Sequence, residues 1–478
     1  VQKIFPALAL ILACSLFLAA ETPKDKAKPE DASHFRQDAW KRIGEAETKN
    51  VEALSSDFKN FLRVTRHELQ AVAEAERLAK KRGFKPLESL ARLRAGDRFY
   101  AKNRDRAMIL GVMGRKPLAE GALLSASHID APRIELKANA LYESGGFAMF
   151  QTTYHGGIKN YQWANVPLAL VGRVTKKDGT SLDVAVGLDG EPWLVIPDTA
   201  PHEDKDYRER TQRQVLKGEE LDPVAGSRPG ADGVEKTVAA VLEKDYGIAR
   251  EDFVSAQLAL VPALPPGDVG LDRSMLGGYG LDDLLCSFAA LHSLLDVDNP
   301  SRTALVYLAA NEETGSGNVM GAGSSFLADT VLEILEKETG KPATLREHRR
   351  AMSEIHCVSA DVTTGVHPTF AGAHEETNAA RLGRGVVLKR YGQGEDSVTE
   401  VLAKVRTLLD DNKIPWQTHT YKVDVGGGGT LGGFLSDDGM DVVDIGVPIL
   451  AMHAPWSVAS KADLWWLHRF YAAFWGMK

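Results

Sequence analysis

Ala304-Leu-Val-Tyr-Leu-Ala-Ala310 carries no charge, and the run stops at Asn311-Glu312-Glu313-Thr314-Gly315. An uncharged run of this length, closed by a glycine-bearing turn, reads as a strand buried on both faces. Two carboxylates then stand at its carboxyl end, where open α/β sheets collect their ligands. The same grammar recurs on both sides of it. Ser127-His128-Ile129-Asp130 closes the run Leu123-Leu-Ser-Ala-Ser127, and Ser359-Ala360-Asp361 ends a strand begun at His356. Ala451-Met452-His453 ends another, and Leu281-Asp282-Asp283-Leu284 opens a helical pattern over 282–295. Further helical patterns cover 325–338, 397–412 and 460–474.

Strands alternating with helices mean an α/β fold, with a mixed central sheet flanked by helices. Residues 110–200 depart from this, with short β-like runs broken by glycine, such as 148–153, 168–174 and 193–196; a strand also reads over 254–261. The expected organisation is therefore a main α/β domain from residues 83–137 and 264–478, interrupted by a smaller β-rich domain over 138–263. Residues 35–82 read as two or three amphipathic helices ended by Gly83. Residues 21–34 form a Lys/Pro-rich linker. Residues 4–20 are almost wholly apolar after Lys3, so 1–20 reads as an export signal or a retained signal anchor. The expected address is periplasmic or extracellular, with membrane anchoring as the alternative, and Cys14 as a weaker lipidation candidate.

The chain of 478 residues has 57 Lys and Arg against 65 Asp and Glu, for a net charge of −8. A mildly acidic chain without a basic block is not built for nucleic acid. Its 3 cysteines form no CxxC pair. Neither Arg66-His67-Glu68-Leu69-Gln70 nor His374-Glu375-Glu376-Thr377-Asn378 completes HExxH, and there is no G-x-S-x-G elbow. Gly427-Gly428-Gly429-Thr430-Leu431-Gly432 does satisfy G-x-G-x-x-G after a plausible strand over 421–425, so a dinucleotide enzyme using the Gly426–Gly429 loop is one alternative.

Taken singly, each strand-end segment has an ordinary explanation. A lone histidine there is usually structural, and Asp282-Asp283 would cap a helix. The set is what points to chemistry. Carboxylates converging on one spot repel unless cations sit among them. Imidazole mixed with carboxylate suits zinc, with cobalt or manganese as acceptable substitutes. In His-x-Asp, Asp130 can hold the imidazole N–H of His128 and fix its tautomer. His367 and His374 read as loop residues, and Cys286 and Cys357 as buried thiols.

Seven segments carry a family resemblance. They are Ser125-Ala-Ser-His-Ile-Asp-Ala-Pro132, Gly156-Gly-Ile-Lys-Asn-Tyr-Gln-Trp163, Gly280-Leu-Asp-Asp-Leu-Leu-Cys286, Asn311-Glu-Glu-Thr-Gly-Ser316, Ser359-Ala-Asp361, Val425-Gly-Gly-Gly-Gly-Thr430 and Ala451-Met-His-Ala-Pro455. In this order the chain resembles the aspartyl aminopeptidase/aminopeptidase I family of zinc metallopeptidases, closest to a bacterial branch and related to the tetrahedral aminopeptidases. The resemblance implies a zinc-exopeptidase-like catalytic domain with an inserted oligomerisation domain. It implies two divalent ions bridged by Asp282, with His128 and Asp361 completing one site and Glu313 and His453 the other. Asp130 would support His128, and Asp283 would follow the bridge through a strained peptide link. Glu312 would be the general base for a water activated by the metals. Gly427, Gly428 and Gly429 would line the substrate pocket with amides at the opening of a helix. Peptides would be the substrates, and a homo-oligomer, in the family a tetrahedral dodecamer, the assembly. Subunits of the family touch in the inserted region, so His155 could face a neighbour's site. A catalytically inactive peptide- or metal-binding relative is the other alternative. Family members commonly carry an Asp/Arg segment after the tryptophan matching Trp163; here Ala164-Asn165-Val166-Pro167 is uncharged, so preference for an acidic first residue does not carry over.

Overall fold

The structure is a computed structural model that describes residues 38–390 and 397–477. The export segment, its linker and Cys14 lie outside the described residues. Among these residues, no helix is long and apolar enough to cross a membrane.

A nine-stranded mixed sheet forms the centre. Its order is Lys85–Pro86, Arg98–Asn103, Ala107–Val112, Thr303–Ala309, Ala122–His128, His356–Ala360, Asp441–Gly446, Val386–Lys389 and Trp416–His419. The four strands from Thr303–Ala309 to Asp441–Gly446 are adjacent and parallel, with Ala309 in register with His128. Their carboxyl ends therefore open at one rim.

The sequence alternation decides which helices cover which face. Leu123, Ala304 and Val306 turn to the face covered by Glu45–Val64, Leu281–Leu295 and Lys461–Phe474. Leu124, Leu305 and Tyr307 turn to the opposite face, under Phe326–Thr339 and Leu345–Ser353. Helix layers on both faces explain why these strands read as continuous apolar runs. Gly83, at φ 80°, follows the Glu68–Lys81 helix.

A second, six-stranded antiparallel sheet is built from Ser181–Val186, Leu168–Thr175, Ala256–Pro262, Arg133–Ser144, Phe147–His155 and Val224–Gly226. It has its own core around Trp163, Phe150 and Leu260. A third sheet, of five short strands, joins Gly267–Val269, Met275–Gly278, Ser457–Ser460, Pro448–Leu450 and Thr363–Thr364. Only one of these was read from the sequence, as a strand over 449–453, and it stops at Leu450 before the turn that bears His453; the others, of two to four residues, show no period.

Some expected strands differ. The strand expected over 254–261 begins at Ala256, after a 3-10 turn at Arg250–Ser255. Residues 193–196 make only isolated bridges, through Leu194 and Val195. No strand forms over 421–425; Val423 and Val425 are exposed and have no sheet edge to join.

Candidate metal centre

Each expected ligand arrives from a separate element at the same rim. His128 is the last residue of its strand, and Asp361 directly follows His356–Ala360. Gly446 makes this approach close: a Cβ there would overlap the Asp361 carbonyl. Asn311 takes a left-handed conformation (φ 59°), tolerable for asparagine, and turns the chain so that Glu312 and Glu313 face inward. Asp282 enters at the start of Leu281–Leu295 and is joined to Asp283 by a cis peptide. His453 follows Pro448–Leu450 in a turn where both it (φ 63°) and Ala451 (φ 57°) are left-handed, a sparsely populated conformation that clusters at functional sites.

Asp282 stands at the centre. Its Oδ1 lies 3.2 Å from His128 Nε2, and its Oδ2 lies 3.2 Å from His453 Nε2. Asp361 Oδ1 is 3.8 Å from His128 Nε2, and Glu313 Oε1 is 3.6 Å from His453 Nε2. Glu312 Oε2 lies 3.9 Å from His128 Nε2. Nitrogen and oxygen sharing a tetrahedral zinc at about 2.0–2.1 Å stand roughly 3.3 Å apart, so the Asp282 spacings suit shared coordination. Ligand atoms of His128, Asp282 and Glu313, and of His128, Asp283 and Asp361, also fall within 4.8 Å of one another. Glu313 Oε1 is buried without a hydrogen-bond partner, which a cation would supply.

The electrostatics agree. Burial opposes charge on both imidazoles, yet the carboxylates prevail. Asp130, Asp282 and Asp361 hold His128 well above its ordinary value, while Asp282 and Glu313 raise His453 to about 10. Asp282 is held low against burial by those same two histidines. Burial first, with repulsion from Asp361, Asp282 and Asp130, pushes Glu312 up to about 7 against the pull of His128. Burial and Asp282 hold Glu313 well above the carboxylate range, and burial and Asp361 do the same to Asp283. Protons thus balance charge in a cage whose donors suit divalent ions.

The surrounding contacts hold some surprises. His128 Nδ1 donates to the backbone carbonyl of Asp130 (2.9 Å), and the Asp130 carboxylate, whose Oδ1 stands 3.5 Å from the same nitrogen, has further partners. It accepts from the amides of Glu312 (3.1 Å) and Glu313 (3.3 Å) and from His155 Nε2 (2.8 Å). His155 is buried against Asp130 in its own chain. Asp130 fixes the loop that bears the two glutamates, and His155 fixes Asp130. Replacing His155 with Leu should lower kcat by about 10- to 100-fold with KM little changed, whereas Gln, which keeps a donor, should recover part of the loss. Steady-state kinetics on both variants checks this.

Lys389 was missed by the sequence reading. It ends Val386–Lys389 and its Nζ lies 3.1 Å from Asp361 Oδ2, held charged by that contact despite burial. Its signal was present: Val386-Val-Leu-Lys389 is another apolar strand closed by a charge. His453 Nδ1 is held 2.7 Å from the Gly157 carbonyl. Gly156 (φ 75°) passes so near Glu313 that a Cβ would come within 3.0 Å of Oε2.

A cavity of about 580 Å³ opens beside the cluster, lined by Asp282, Glu312, Glu313, Asp361 and His453 at one end. Gly427, Gly428 and Gly429 line it with His374 and Tyr421. This glycine loop precedes the helix Gly432–Asp437, six residues long, with Leu431 as its N-cap. The expected strand before the loop is absent, so the strand–loop–helix context of a dinucleotide fingerprint is not formed. His367 lies outside the cavity wall, ring to ring with Phe370 at 4.8 Å. Cys286 and Cys357 are buried free thiols.

A mixed sheet with imidazoles and carboxylates gathered at its strand ends defines a zinc-exopeptidase-like α/β metallohydrolase. Residues 61–475 match the family described as Aminopeptidase I zinc metalloprotease (M18), and the chain belongs to that family of metallo-aminopeptidases. A probable M18 family aminopeptidase 1 of Clostridium acetobutylicum is 37% identical over 463 residues, covering 93% of this chain and 99% of that protein. The crystal structure of the M18 aminopeptidase from Thermotoga maritima superposes with a TM-score of 0.88 at 35% identity, over 92% of this chain and 99% of that one. More distantly, the S. cerevisiae mApe1 dodecamer shares the fold, at TM-score 0.73 and 22% identity, over 89% of this chain and 97% of that one.

Proposed function

We propose that the chain is a dinuclear aminopeptidase that releases N-terminal residues from peptides. The observation that carries this reading is the Asp282 carboxylate, whose two oxygens each face a different imidazole at the same 3.2 Å. His128 and Asp361 would hold one ion with Asp282, and Glu313 and His453 the other. The ions, zinc by the donor set with cobalt or manganese acceptable, supply a lowered water pKa and a polarised carbonyl when bound.

The remaining work falls to the chain. Glu312 takes a proton from the attacking water and returns it to the leaving amine. Its position depends on Asp130, which grips the Glu312 and Glu313 amides. Crowded carboxylates at one end of the cavity favour a free amine there, so cleavage falls at the first residue. Gly427, Gly428 and Gly429 border the space for that residue. A homo-oligomer, with the tetrahedral dodecamer as its form, belongs to the same proposal.

The test is direct. Purified protein should contain close to two ions per chain and hydrolyse aminoacyl chromogenic substrates. A chelator should abolish that activity and added zinc, cobalt or manganese should restore it. Metal-replete protein without turnover on any member of the panel would leave the inactive relative standing instead.

A further inference from the structure

A second cavity, of about 720 Å³, lies against the first and shares one wall residue with it, Gly157. That residue's carbonyl holds His453, so the two cavities meet at the metal cluster. The size is within the range of ligand pockets. Two segments form it and are tied together: Asn160 Nδ2 donates to the Leu216 carbonyl (2.9 Å), and Gln212 Nε2 to the Tyr161 hydroxyl (3.3 Å). The charge of its wall is one-sided. Lys159, Arg213 and Lys217 line it, and no carboxylate does. The chain as a whole carries a net charge of −8, so this cationic wall runs against the general balance.

We propose that this second cavity binds the downstream part of the substrate, and that Lys159, Arg213 and Lys217 select peptides presenting a carboxylate there. The inference rests on the aminopeptidase reading above. The two cavities would then divide the peptide at the scissile bond. The carboxylate end of the first takes the free amine and its residue; the second takes the leaving chain. Extended chain spans about 3.3–3.6 Å per residue, so a carboxylate a few residues beyond the cleaved bond reaches past Gly157 into the cationic wall. Two sources offer that group: the free C-terminus of a short peptide, or an Asp or Glu side chain in a longer one. Attraction between exposed charges also weakens with ionic strength, so the selection should fade in salt.

The experiment compares an aminoacyl p-nitroanilide, which has no downstream chain, with three tetrapeptides sharing that first residue. One has a free C-terminus, one is C-terminally amidated, and one is amidated but carries Glu at its third position. The wild type should cleave the free-acid peptide with a kcat/KM about fivefold above the amidated one, the size expected of a single exposed ion pair. The Glu-bearing amide tells whether a side chain serves as well as the terminus. In the combined Lys159→Gln, Arg213→Gln, Lys217→Gln variant the free-acid advantage should vanish, mainly through KM, with the anilide unaffected. These three side chains are exposed, so the variant should fold. Equal wild-type rates on all three tetrapeptides would overturn the proposal, as would a loss in the variant shared by the anilide. A wild type inactive on the anilide and on every peptide would instead sink the aminopeptidase reading itself.

Discussion

Replacing Glu312 with Gln should lower kcat by about 10²- to 10⁴-fold and leave metal content unchanged, the range for a general acid–base group. Glu312 Oε2 lies 3.9 Å from His128 Nε2, nearly the 3.8 Å of the proposed ligand Asp361, and both line the cavity, so metal content is what tells a base from a ligand. Burial and its acidic neighbours push its carboxyl up to about 7, near the pH at which a base must both accept and return a proton. Cations bound beside it would pull that value down and favour the ionised form at neutral pH. Gln keeps the shape and removes the base. Its amide nitrogen cannot take a proton from water. Metal analysis beside single-turnover rates distinguishes a base from a ligand: a variant that loses both ions along with its rate would make Glu312 a ligand instead.

What was legible in the sequence, and what was not, divides along physical lines. The strand ends were visible because His128, Glu312, Glu313 and Asp361 each interrupt an apolar run, where an unpartnered charge is expensive. The central sheet was visible for the same reason, since continuous runs such as Thr303–Ala309 require cover on both faces. His155 was not visible as a partner of Asp130, because the two residues lie 25 positions apart and meet only through antiparallel pairing of Arg133–Ser144 with Phe147–His155. The division of labour within Asp130 was equally hidden. Its carboxylate does stand 3.5 Å from His128 Nδ1, as the His-x-Asp spacing allows, but its backbone carbonyl takes the shorter contact at 2.9 Å, and the carboxylate also grips the glutamate loop. The strand expected over 421–425 failed because alternating Tyr421, Val423 and Val425 satisfied a local pattern with no neighbouring edge to complete it.

Asp282→Asn should remove metal from both sites together, to about one ion per chain or fewer, and bring activity below detection. Only a carboxylate can present two equivalent acceptor oxygens to two cations; an amide turns its nitrogen toward one of them. The proton balance gives a second, independent reading of the same residue. In metal-free protein, Asp282 and Glu313 raise His453 to about 10, and Asp130, Asp282 and Asp361 hold His128 well above its ordinary value. His453 therefore keeps its proton at neutral pH, His128 and the Glu313 carboxyl are pushed the same way, and a ligand must lose its proton to bind a metal. Uptake should release protons, and apparent affinity should fall as pH is lowered, because protons then compete for the same ligand atoms. In Asp282→Asn the neutral amide no longer favours the imidazolium forms. Both histidines should then titrate lower, and whatever metal still binds should displace fewer protons. Calorimetric titration in buffers of differing ionisation enthalpy counts them. An unchanged proton count in the variant, or two ions retained at full activity, would show that Asp282 does not bridge the sites.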